Sequence, residues 1–330
     1  YILAQVSDRP WSEVDEGIVD ICRLGVHQLF EMRVATHAAV SATVELARKV
    51  IGESKASFVN AILRKVSAQT LEEWLEPVLA MKDPVSRLSI QYSHPEWIVS
   101  AYFDLLKDYA RVEEELAANN VPATPTLVSW PGSSTQDELV SEGAVATQFS
   151  PYGARFEGAP GSLDLIRHRK AGVQDEGSQL VALAFSQATK SAKTVLDLCA
   201  GPGGKAALIS HICDVEGREF VANEVSEARA KLVKNVVGKF PVWVGDGREI
   251  SSHGQKFDAI IADVPCTGLG ALRRRPEVRW RRTVQDLRAL TELQLELANS
   301  AIANLSDDGI FGYATCSPHF AETFGQAKML

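Results

Sequence analysis

The sequence predicts an α/β protein in which a doubly wound parallel sheet follows an all-helical part and a small α+β module. Over residues 1 to about 118, apolar residues recur at helical spacing and no strand pattern interrupts them. From Val173 onward, short apolar runs alternate with helical patterns, which is typical of a parallel sheet covered by helices. The first of those runs ends in a glycine-rich turn at 201–204, where such sheets bind nucleotide-like ligands.

The length of 330 residues favours two or three domains. We expect an all-helical domain over 1–85, a connecting helical and α+β module over 86–170, and the parallel-sheet domain over 171–330. Because the chain opens at Tyr1 rather than Met and stops within a helical pattern, we also expect both ends to be trimmed. The strands of the parallel sheet are predicted near 194–199, 219–224, 242–245, 257–262 and 309–315.

The helical part and the module after it are separated by a linker at 119–125, which is rich in Asn and Pro. Before the linker, apolar residues repeat every three or four positions, for example from Val40 through Val44 to Ile51. After it, residues 126–130 predict a short strand and residues 135–142 a small helix. On its own this spacing indicates core packing and no particular function.

Composition excludes several classes of protein. The apolar fraction is 45% and the formal net charge is −8, so any nucleic-acid-binding surface must be local. No CxxC or metal-like cluster is present, so we expect no metal site. The odd cysteine count without a secretory signal predicts a reducing, cytoplasmic location, and no run is apolar enough to span a membrane. The oligomeric state is left open. The five cysteines are Cys22, Cys199, Cys213, Cys266 and Cys316.

The ligand loop joins a predicted strand at 194–198 to a predicted helix at 205–213. Glycine allows the backbone to approach a ligand closely, and a helix N-terminus supplies free N–H groups. A Walker loop is excluded, because Lys205 is followed by Ala206 and the glycine spacing is too short. The pattern fits only the loose dinucleotide fingerprint, which by itself is a weak signal.

Glu224 narrows the choice of ligand, since it ends the second apolar run about twenty residues after the loop. An acid at that position can bind both hydroxyls of a ribose. NAD and S-adenosylmethionine both contain that ribose, so this residue does not separate them. Asp246 closes the third strand at the same edge of the sheet, where ligands bind.

Two further strands place cysteines at this edge. The fourth strand leads into Asp263 and Cys266, and the fifth leads into Cys316. Either cysteine alone is most simply a small buried apolar residue. Two cysteines in strand-end turns beside an aspartate point instead to chemistry on the ligand.

That chemistry fits methylation at carbon 5 of cytosine, an atom too weakly nucleophilic to accept a methyl group unaided. A thiolate that adds to carbon 6 makes carbon 5 an enamine-like nucleophile. The proton on carbon 5 must leave before the thiolate can be expelled. The reaction therefore needs a nucleophilic cysteine, an acid that grips the polar edge of cytosine and a group that assists release, and Cys316, Asp263 and Cys266 match these three needs.

Three motifs contain these residues. They are Cys199-Ala-Gly-Pro-Gly-Gly-Lys205, Asp263-Val-Pro-Cys266-Thr-Gly-Leu-Gly270 and Thr315-Cys316-Ser-Pro-His319. Together they resemble the RNA cytosine-5 methyltransferases, the Sun/Fmu/Nop2 family, over about 165–330. The resemblance implies a Rossmann-like class I methyltransferase fold with S-adenosylmethionine as cofactor.

The same resemblance assigns roles to residues. The cysteine of the Thr-Cys motif, Cys316, would be the nucleophile, and the cysteine of the Pro-Cys motif, Cys266, would assist product release. DNA cytosine methyltransferases attack from a Pro-Cys cysteine instead, so the presence of both motifs favours RNA. The residues that would hold S-adenosylmethionine are Cys199, Ala200, Gly201, Pro202, Gly203, Gly204, Lys205, Glu224, Asp246 and Asp263.

The helical first part resembles the NusB-like RNA-binding domain that bacterial 16S rRNA members of this family contain. The similarity lies in the segments 24–30 and 58–64 and in the order of the two parts. Where this chain ends, soon after the cysteine motif, the family continues into the last strands of its sheet. We therefore expect those strands to be missing or the sheet to be short.

A basic segment after the Pro-Cys motif would guide the RNA. Arginine pairs with phosphate and tryptophan can stack on a base. A second basic run at 167–170 is equally consistent with an ordinary charged surface. The residues predicted to bind RNA are Arg273, Arg274, Arg275, Arg279, Trp280, Arg281 and Arg282.

The sequence thus predicts a cytoplasmic S-adenosylmethionine-dependent enzyme that forms 5-methylcytosine in RNA, with 16S rRNA as its partner. Two alternatives stay open. One is an RNA-binding assembly factor with an inactive methyltransferase fold, although the cysteine pair and Asp263 argue against it. The other is an NAD-dependent oxidoreductase, which gives the paired cysteines no task.

Overall fold

The N-terminal unit is entirely helical, as the spacing of its apolar residues predicts. The structure is a computed structural model that describes residues 1–330. The N-terminal unit comprises Tyr1–Val99, and Ser100–Leu330 form a second compact unit. The side chains of Cys22, Val59 and Leu63 are completely buried in the helical core. The helices are α1 (Ile2–Val6), α2 (Glu16–Phe30), α3 (Thr36–Ile51), α4 (Glu53–Val66), α5 (Leu71–Leu79) and α6 (Pro84–Gln91), with α7 (Glu96–Leu106) crossing into the second unit.

The second unit begins with a small antiparallel sheet. Its strand order is β2-β3-β1-β4, and β1 pairs with both β3 and β4. The sheet extends beyond residue 170, because β4 pairs with β1. The three-part division of the chain stays a prediction. The elements are α8 (Tyr109–Asn119), β1 (Thr126–Ser129), α9 (Gln136–Ser141), β2 (Val145–Ala146), β3 (Gly153–Arg155), α10 (Asp164–Arg167) and β4 (Ala171–Val173).

A parallel five-stranded sheet follows, in the order β7-β6-β5-β8-β9. The chain runs outward from β5 to β7 and then returns to β8 on the other side of β5. This makes β5 and β8 the point where the strand order reverses, where such sheets bind ligands. The strands are β5 (Thr194–Asp197), β6 (Glu219–Glu224), β7 (Val242–Val244), β8 (Phe257–Asp263) and β9 (Leu305–Ala314).

The sheet has a separate apolar core on each face. Successive residues of a strand point to opposite faces, so Val195 packs with residues of the helix at 204–215, while Leu196 packs with residues of the helix at 284–303 such as Leu297. None of the helices combines the length and apolarity that a membrane span requires. The helices of this region are α11 (Glu176–Ala188), α12 (Gly204–Val215), α13 (Glu227–Lys234), α14 (Val278–Arg281), α15 (Val284–Ala303) and α16 (Phe324–Ala327).

The predicted start of the last strand was wrong. The strand begins at Leu305, four residues before the predicted 309. Leu305 pairs with Phe257, and the register then shifts so that Ile310 pairs with Ala259. The irregular stretch between them contains Asp307, Asp308 and Gly309. These residues are typical of turns, so the sequence pattern did not predict the first part of the strand.

Candidate active site

A cleft of about 1380 Å³ opens at the carboxyl ends of the parallel strands. Register places the strand ends side by side, since Asp197 is level with Ala222 and Ile261, and Asp263 is level with Ala314. Three predicted cofactor residues, Ala200, Gly203 and Gly204, belong to the glycine loop but do not line the cleft. The predicted residues that line it are Cys199, Gly201, Pro202, Lys205, Glu224, Asp246, Asp263, Cys266 and Cys316.

The glycine loop is held against the end of β6. The amide of Gly201 donates to Glu224 Oε2 over 3.0 Å. A Cβ atom at 201 would overlap with that carboxylate. Gly203 has a φ of +113°, a left-handed conformation that side-chain-bearing residues rarely adopt. Both glycines are therefore required by the turn that the sequence predicted.

Glu224 is buried and already engaged on both oxygens. Its Oε1 accepts from the amide of Ser226 at 2.8 Å and lies 2.7 Å from Arg229 Nη2. Its Oε2 accepts from Gly201. Three of about four carboxylate acceptor positions are therefore occupied. Since the side chain of Arg229 is half exposed, it is the partner that can move when a diol binds both oxygens.

Asp246 lies two residues beyond β7 and begins the 3₁₀ helix Gly247–His253. Arg248 binds both of its oxygens, with Nε 3.0 Å from Oδ1 and Nη2 2.6 Å from Oδ2. These hydrogen bonds lower the pKa of Asp246, so the carboxylate is ionised. Arg248 also contacts Glu296 at 2.8 Å, a link to α15 that motif reasoning missed because the partners are 48 residues apart.

Asp263 forms an ion pair with Lys205, whose Nζ lies 2.8 Å from Oδ2. The pair joins the first residue after the glycine loop to the end of β8. Asp197 lies fully buried nearby, and burial, followed by the charge of Asp263, raises its pKa to about 7. The floor of the cleft therefore concentrates carboxylates around one ammonium group.

The two motif cysteines meet at the rim of the cleft. Their Sγ atoms are 3.2 Å apart, and Cys316 is exposed whereas Cys266 is half-buried. The contact between the sulfurs lowers the pKa of Cys266 to about 7. The same contact, together with burial, raises the pKa of Cys316. Near neutral pH the two sulfurs hold about one proton between them, so one thiolate is available.

The other cysteines lack this reactivity. Burial raises the pKa of Cys22 and of Cys213 to about 11. Burial and neighbouring carboxylates likewise raise the pKa of Cys199, which lies in the glycine loop. His319, the last residue of the Thr-Cys motif, caps a turn, since its Nδ1 accepts from the amide of Ala321 over 3.1 Å.

The basic segment separates into exposed and structural members. Arg273, Arg274 and Arg275 line the cleft, as does Arg282. Trp280 is 63% exposed. Arg281 is exposed and does not line the cleft.

The prediction that Arg279 binds RNA was wrong. Only 4% of this residue is exposed. Its guanidinium donates to Asn120 Oδ1 at 2.8 Å and to the carbonyl of Asn119 at 3.3 Å. Arg279 therefore fastens the basic segment to the linker after α8, because both of its terminal nitrogens donate to residues inside the protein.

The cleft fits S-adenosylmethionine by charge and by donor type. A carboxylate at the end of β6 suits a ribose diol, and Asp246 suits an amino group of adenine. The carboxylates around Asp263 suit the positive sulfonium and ammonium groups of that cofactor. Because Gly201 has no side chain, its backbone lies close to Glu224 and leaves space for a ligand beside that carboxylate. Fold and site together define a Rossmann-like S-adenosylmethionine-dependent methyltransferase.

Comparison with known proteins gives the family. Residues 184–330 match the model described as 16S rRNA methyltransferase RsmB/F, and residues 1–68 match the NusB family. A putative methyltransferase of Mycobacterium tuberculosis is 40% identical over 98% of this chain and 73% of its own length. The ribosomal RNA small subunit methyltransferase B of Vibrio vulnificus is 30% identical over 99% of this chain and 77% of its own.

The chain belongs to the RsmB/F family of RNA methyltransferases and has a NusB-like N-terminal region. Its cofactor is S-adenosylmethionine and its substrate is RNA. Membership of this family disfavours the alternative of an NAD-dependent oxidoreductase. The predicted fold class and family are confirmed. The roles of the individual site residues stay predictions.

Solved structures agree with the fold. The crystal structure of PH0851 matches with a TM-score of 0.82 over 99% of this chain and 75% of that one, at 18% identity. The structure of NSun6 from Pyrococcus horikoshii with SFG matches with a TM-score of 0.61 over 71% of this chain and 86% of that one, at 17% identity.

Proposed function

We propose that this protein transfers a methyl group to carbon 5 of a cytosine in 16S rRNA, through a covalent bond between Cys316 and carbon 6. The observation that supports this most directly is the approach of Cys266 and Cys316 to 3.2 Å beside Asp263. The names of the relatives, ribosomal RNA small subunit methyltransferases, support the choice of 16S rRNA.

The first step uses the thiolate that the two sulfurs share. Once the shared proton lies on Cys266, Cys316 is the thiolate and forms a bond to carbon 6. Asp263 accepts from the exocyclic amino group of cytosine, and Lys205 donates to a ring acceptor. An adjacent acceptor and donor match the polar edge of cytosine. S-adenosylmethionine, when bound, supplies an electrophilic methyl group.

The second step restores the aromatic ring. A base removes the proton from carbon 5, and the electrons of that C–H bond form the double bond between carbons 5 and 6. The bond from carbon 6 to sulfur then breaks, and Cys316 leaves as a thiolate. Cys266 lies nearest to that sulfur and serves as the base once the proton it took in the first step has passed to solvent. The elimination adds no atoms and needs no further reactant.

The rest of the chain would bring the RNA to this site in the cytoplasm. The exposed arginines at the cleft bind phosphates, and Trp280 offers a face on which a base can stack. The NusB-like region adds RNA contacts of its own. The target cytosine must leave the base stack to reach Cys316, which favours single-stranded or locally opened RNA.

The direct test is methyl transfer from radiolabelled S-adenosylmethionine to 16S rRNA that lacks its natural modifications, followed by identification of the labelled nucleoside. Labelled 5-methylcytidine is the expected result. If another nucleoside is labelled, the assignment of the reaction is wrong. If the protein binds S-adenosylmethionine but labels nothing, the inactive assembly factor becomes the better account.

The cysteine assignment is tested by two substitutions. Cys316→Ala should abolish methylation and leave cofactor binding largely intact, because the side chain lies at the rim of the cleft. Cys266→Ala should form a protein–RNA adduct that resolves slowly, visible as a band of reduced mobility on a denaturing gel. Retained turnover in the first variant, or normal product release in the second, contradicts the respective role.

A further inference from the structure

A buried carboxylate lies beneath the two cysteine loops. Glu322 has no exposed surface. Its Oε1 accepts from the amide of Thr267 at 2.8 Å and from Gln294 Nε2 at 3.0 Å, and its Oε2 accepts from the hydroxyl of Thr267. All of these donors are neutral. Burying a carboxylate without a cation is costly, so the hydrogen bonds to Thr267 and Gln294 must be maintained.

The carboxylate acts on both loops through a pair of hydroxyl groups. Thr267 directly follows Cys266, and Ser317 directly follows Cys316. The two hydroxyl oxygens are 3.0 Å apart. The hydroxyl of Thr267 donates its one proton to Glu322, so its oxygen accepts from Ser317. Glu322 therefore sets the direction of the whole chain of hydrogen bonds.

Other contacts hold the same two loops. Gln294 of α15 also donates to the carbonyl of Pro265 at 2.9 Å. The amide of Gly270 donates to the carbonyl of Cys316 at 2.8 Å, and a Cβ atom at 270 would press on that carbonyl. The Pro-Cys loop is thus anchored on both sides of Cys266. The network made by Glu322, Thr267 and Ser317 is the part that joins the residues next to the two sulfurs.

We propose that this network positions Cys266 for product release and is far less important for the attack by Cys316. The inference rests on the proposed function. Attack uses the exposed sulfur of Cys316, whose loop keeps its separate hydrogen bond from the amide of Gly270. Release needs a base at carbon 5, one bond away from the carbon that holds Cys316, and the network sets how closely Cys266 approaches that place. Loosening it leaves the nucleophile in position and moves the base away.

The test uses Thr267→Val, which keeps the shape and the backbone donor but removes the hydroxyl. Steady-state methylation should fall about 10- to 100-fold, the loss expected from a displaced catalytic group. The protein–RNA adduct should accumulate as in Cys266→Ala, while the amount of methyl transferred in a single turnover stays close to that of wild type. Thr267→Ser retains the hydroxyl and should restore release.

Glu322→Gln gives a second measurement at the same network. An amide can donate to Thr267, which reverses the direction of the hydroxyl chain, so adduct should again persist. Gln326→Ala is the matched control, because Gln326 is equally buried and bonds to the carbonyl of Thr291 at 2.9 Å without a bond to either cysteine loop. A thermal melt of each variant shows whether it folds.

The outcomes separate the two proposals. If wild type makes 5-methylcytidine and Cys266→Ala traps the adduct, but folded Thr267→Val releases product at the wild-type rate, the positioning role is refuted. Equal loss of adduct formation and release in Thr267→Val would also refute it. If wild type forms neither 5-methylcytidine nor adduct, the proposed function itself fails.

Discussion

At the scale of single residues, the chemistry depends on the contact between two sulfur atoms. Cys266 and Cys316 are 50 residues apart in the chain and 3.2 Å apart in space. A thiol that donates to a thiolate stabilises the charge, so the first proton leaves the pair more easily than it leaves an ordinary thiol. Reactivity of this pair should therefore differ sharply from that of the three other cysteines.

We expect alkylation of the pair by iodoacetamide to rise with a midpoint near pH 7, the pKa of Cys266. Below that pH both thiols keep their protons, and above it one thiolate reacts. In Cys266→Ala, the midpoint for Cys316 should move up toward the ordinary thiol value of about 8.5. The measurement is peptide mass spectrometry of protein labelled for short times across pH 5–10.

Cys22 and Cys213 are the internal controls, since burial keeps their pKa near 11 and leaves no access for the reagent. They should stay unlabelled at pH 7 in the folded protein. A midpoint that is the same with and without Cys266 would show that the neighbouring sulfur has no part in lowering the pKa.

At the scale of elements, parallel strands bring separate motifs to one edge. The loop after β5, the end of β6 and the turns after β8 and β9 are distant in sequence, and the register of the strands makes them neighbours. The turn after β5 works only if its backbone lies against Glu224. Because the backbone at Gly201 lies so close to Glu224, the addition of a single methyl group at this position tests the contact between the loop and the acid.

Gly201→Ala should weaken binding of S-adenosylmethionine about tenfold or more, equivalent to about 1.4 kcal/mol. The added methyl group meets the carboxylate of Glu224, which is buried and bonded on both oxygens, so either the loop or the acid must move. Isothermal titration calorimetry measures the change. Gly204→Ala should cost less, because a Cβ atom there meets no atom within 4 Å.

Gly161→Ala serves as a control away from the cleft, since open space also surrounds that position. Its affinity for S-adenosylmethionine should equal that of wild type. Equal losses in Gly201→Ala and Gly204→Ala would mean that general disturbance of the loop, rather than the approach to Glu224, explains the effect.

At the scale of the whole molecule, a net charge of −8 coexists with a basic rim at the cleft. Two arginines of that rim form ion pairs with nearby acids. Arg274 Nη2 lies 2.7 Å from Asp175 Oδ2, and Arg275 Nε lies 3.4 Å from Glu277 Oε1. RNA phosphates would compete with these exposed pairs, which contribute little to stability. Binding should therefore depend on a few arginines and be sensitive to salt.

Arg282→Gln should weaken RNA binding and reduce the slope of log K against log salt by about 0.7, the value for one phosphate contact on a single strand. Arg282 is half-buried at the cleft and forms no ion pair in the structure. Filter binding at several salt concentrations measures the slope. An unchanged slope would remove Arg282 from the RNA surface.

Arg279→Gln is the matched comparison within the same segment. Its buried guanidinium holds Asn119 and Asn120, so the substitution should lower the free energy of unfolding by about 1–3 kcal/mol. The salt slope should not change in the folded variant. The comparison of the two variants then distinguishes a contact with phosphate from a structural contact.

The sequence alone determined the class of fold and the set of motifs. Periodicity separates helices from strands, because each structure buries one face at its own spacing. Glycine turns, strand-end acids and the two cysteine motifs are local patterns, so they could be predicted with their residue numbers. Local patterns failed where a strand contained turn residues, as in β9, and where a charged residue was buried, as with Arg279.

Only the tertiary structure decided which partners the side chains have. The contacts of Cys266 with Cys316, Lys205 with Asp263, and Glu322 with Thr267 join residues 50 to 58 positions apart. Their distances depend on the order and register of five strands, which no local spacing encodes. The sequence therefore determined which chemical groups are present, and the packing of the strands determined their distances, their burial and the sharing of their protons.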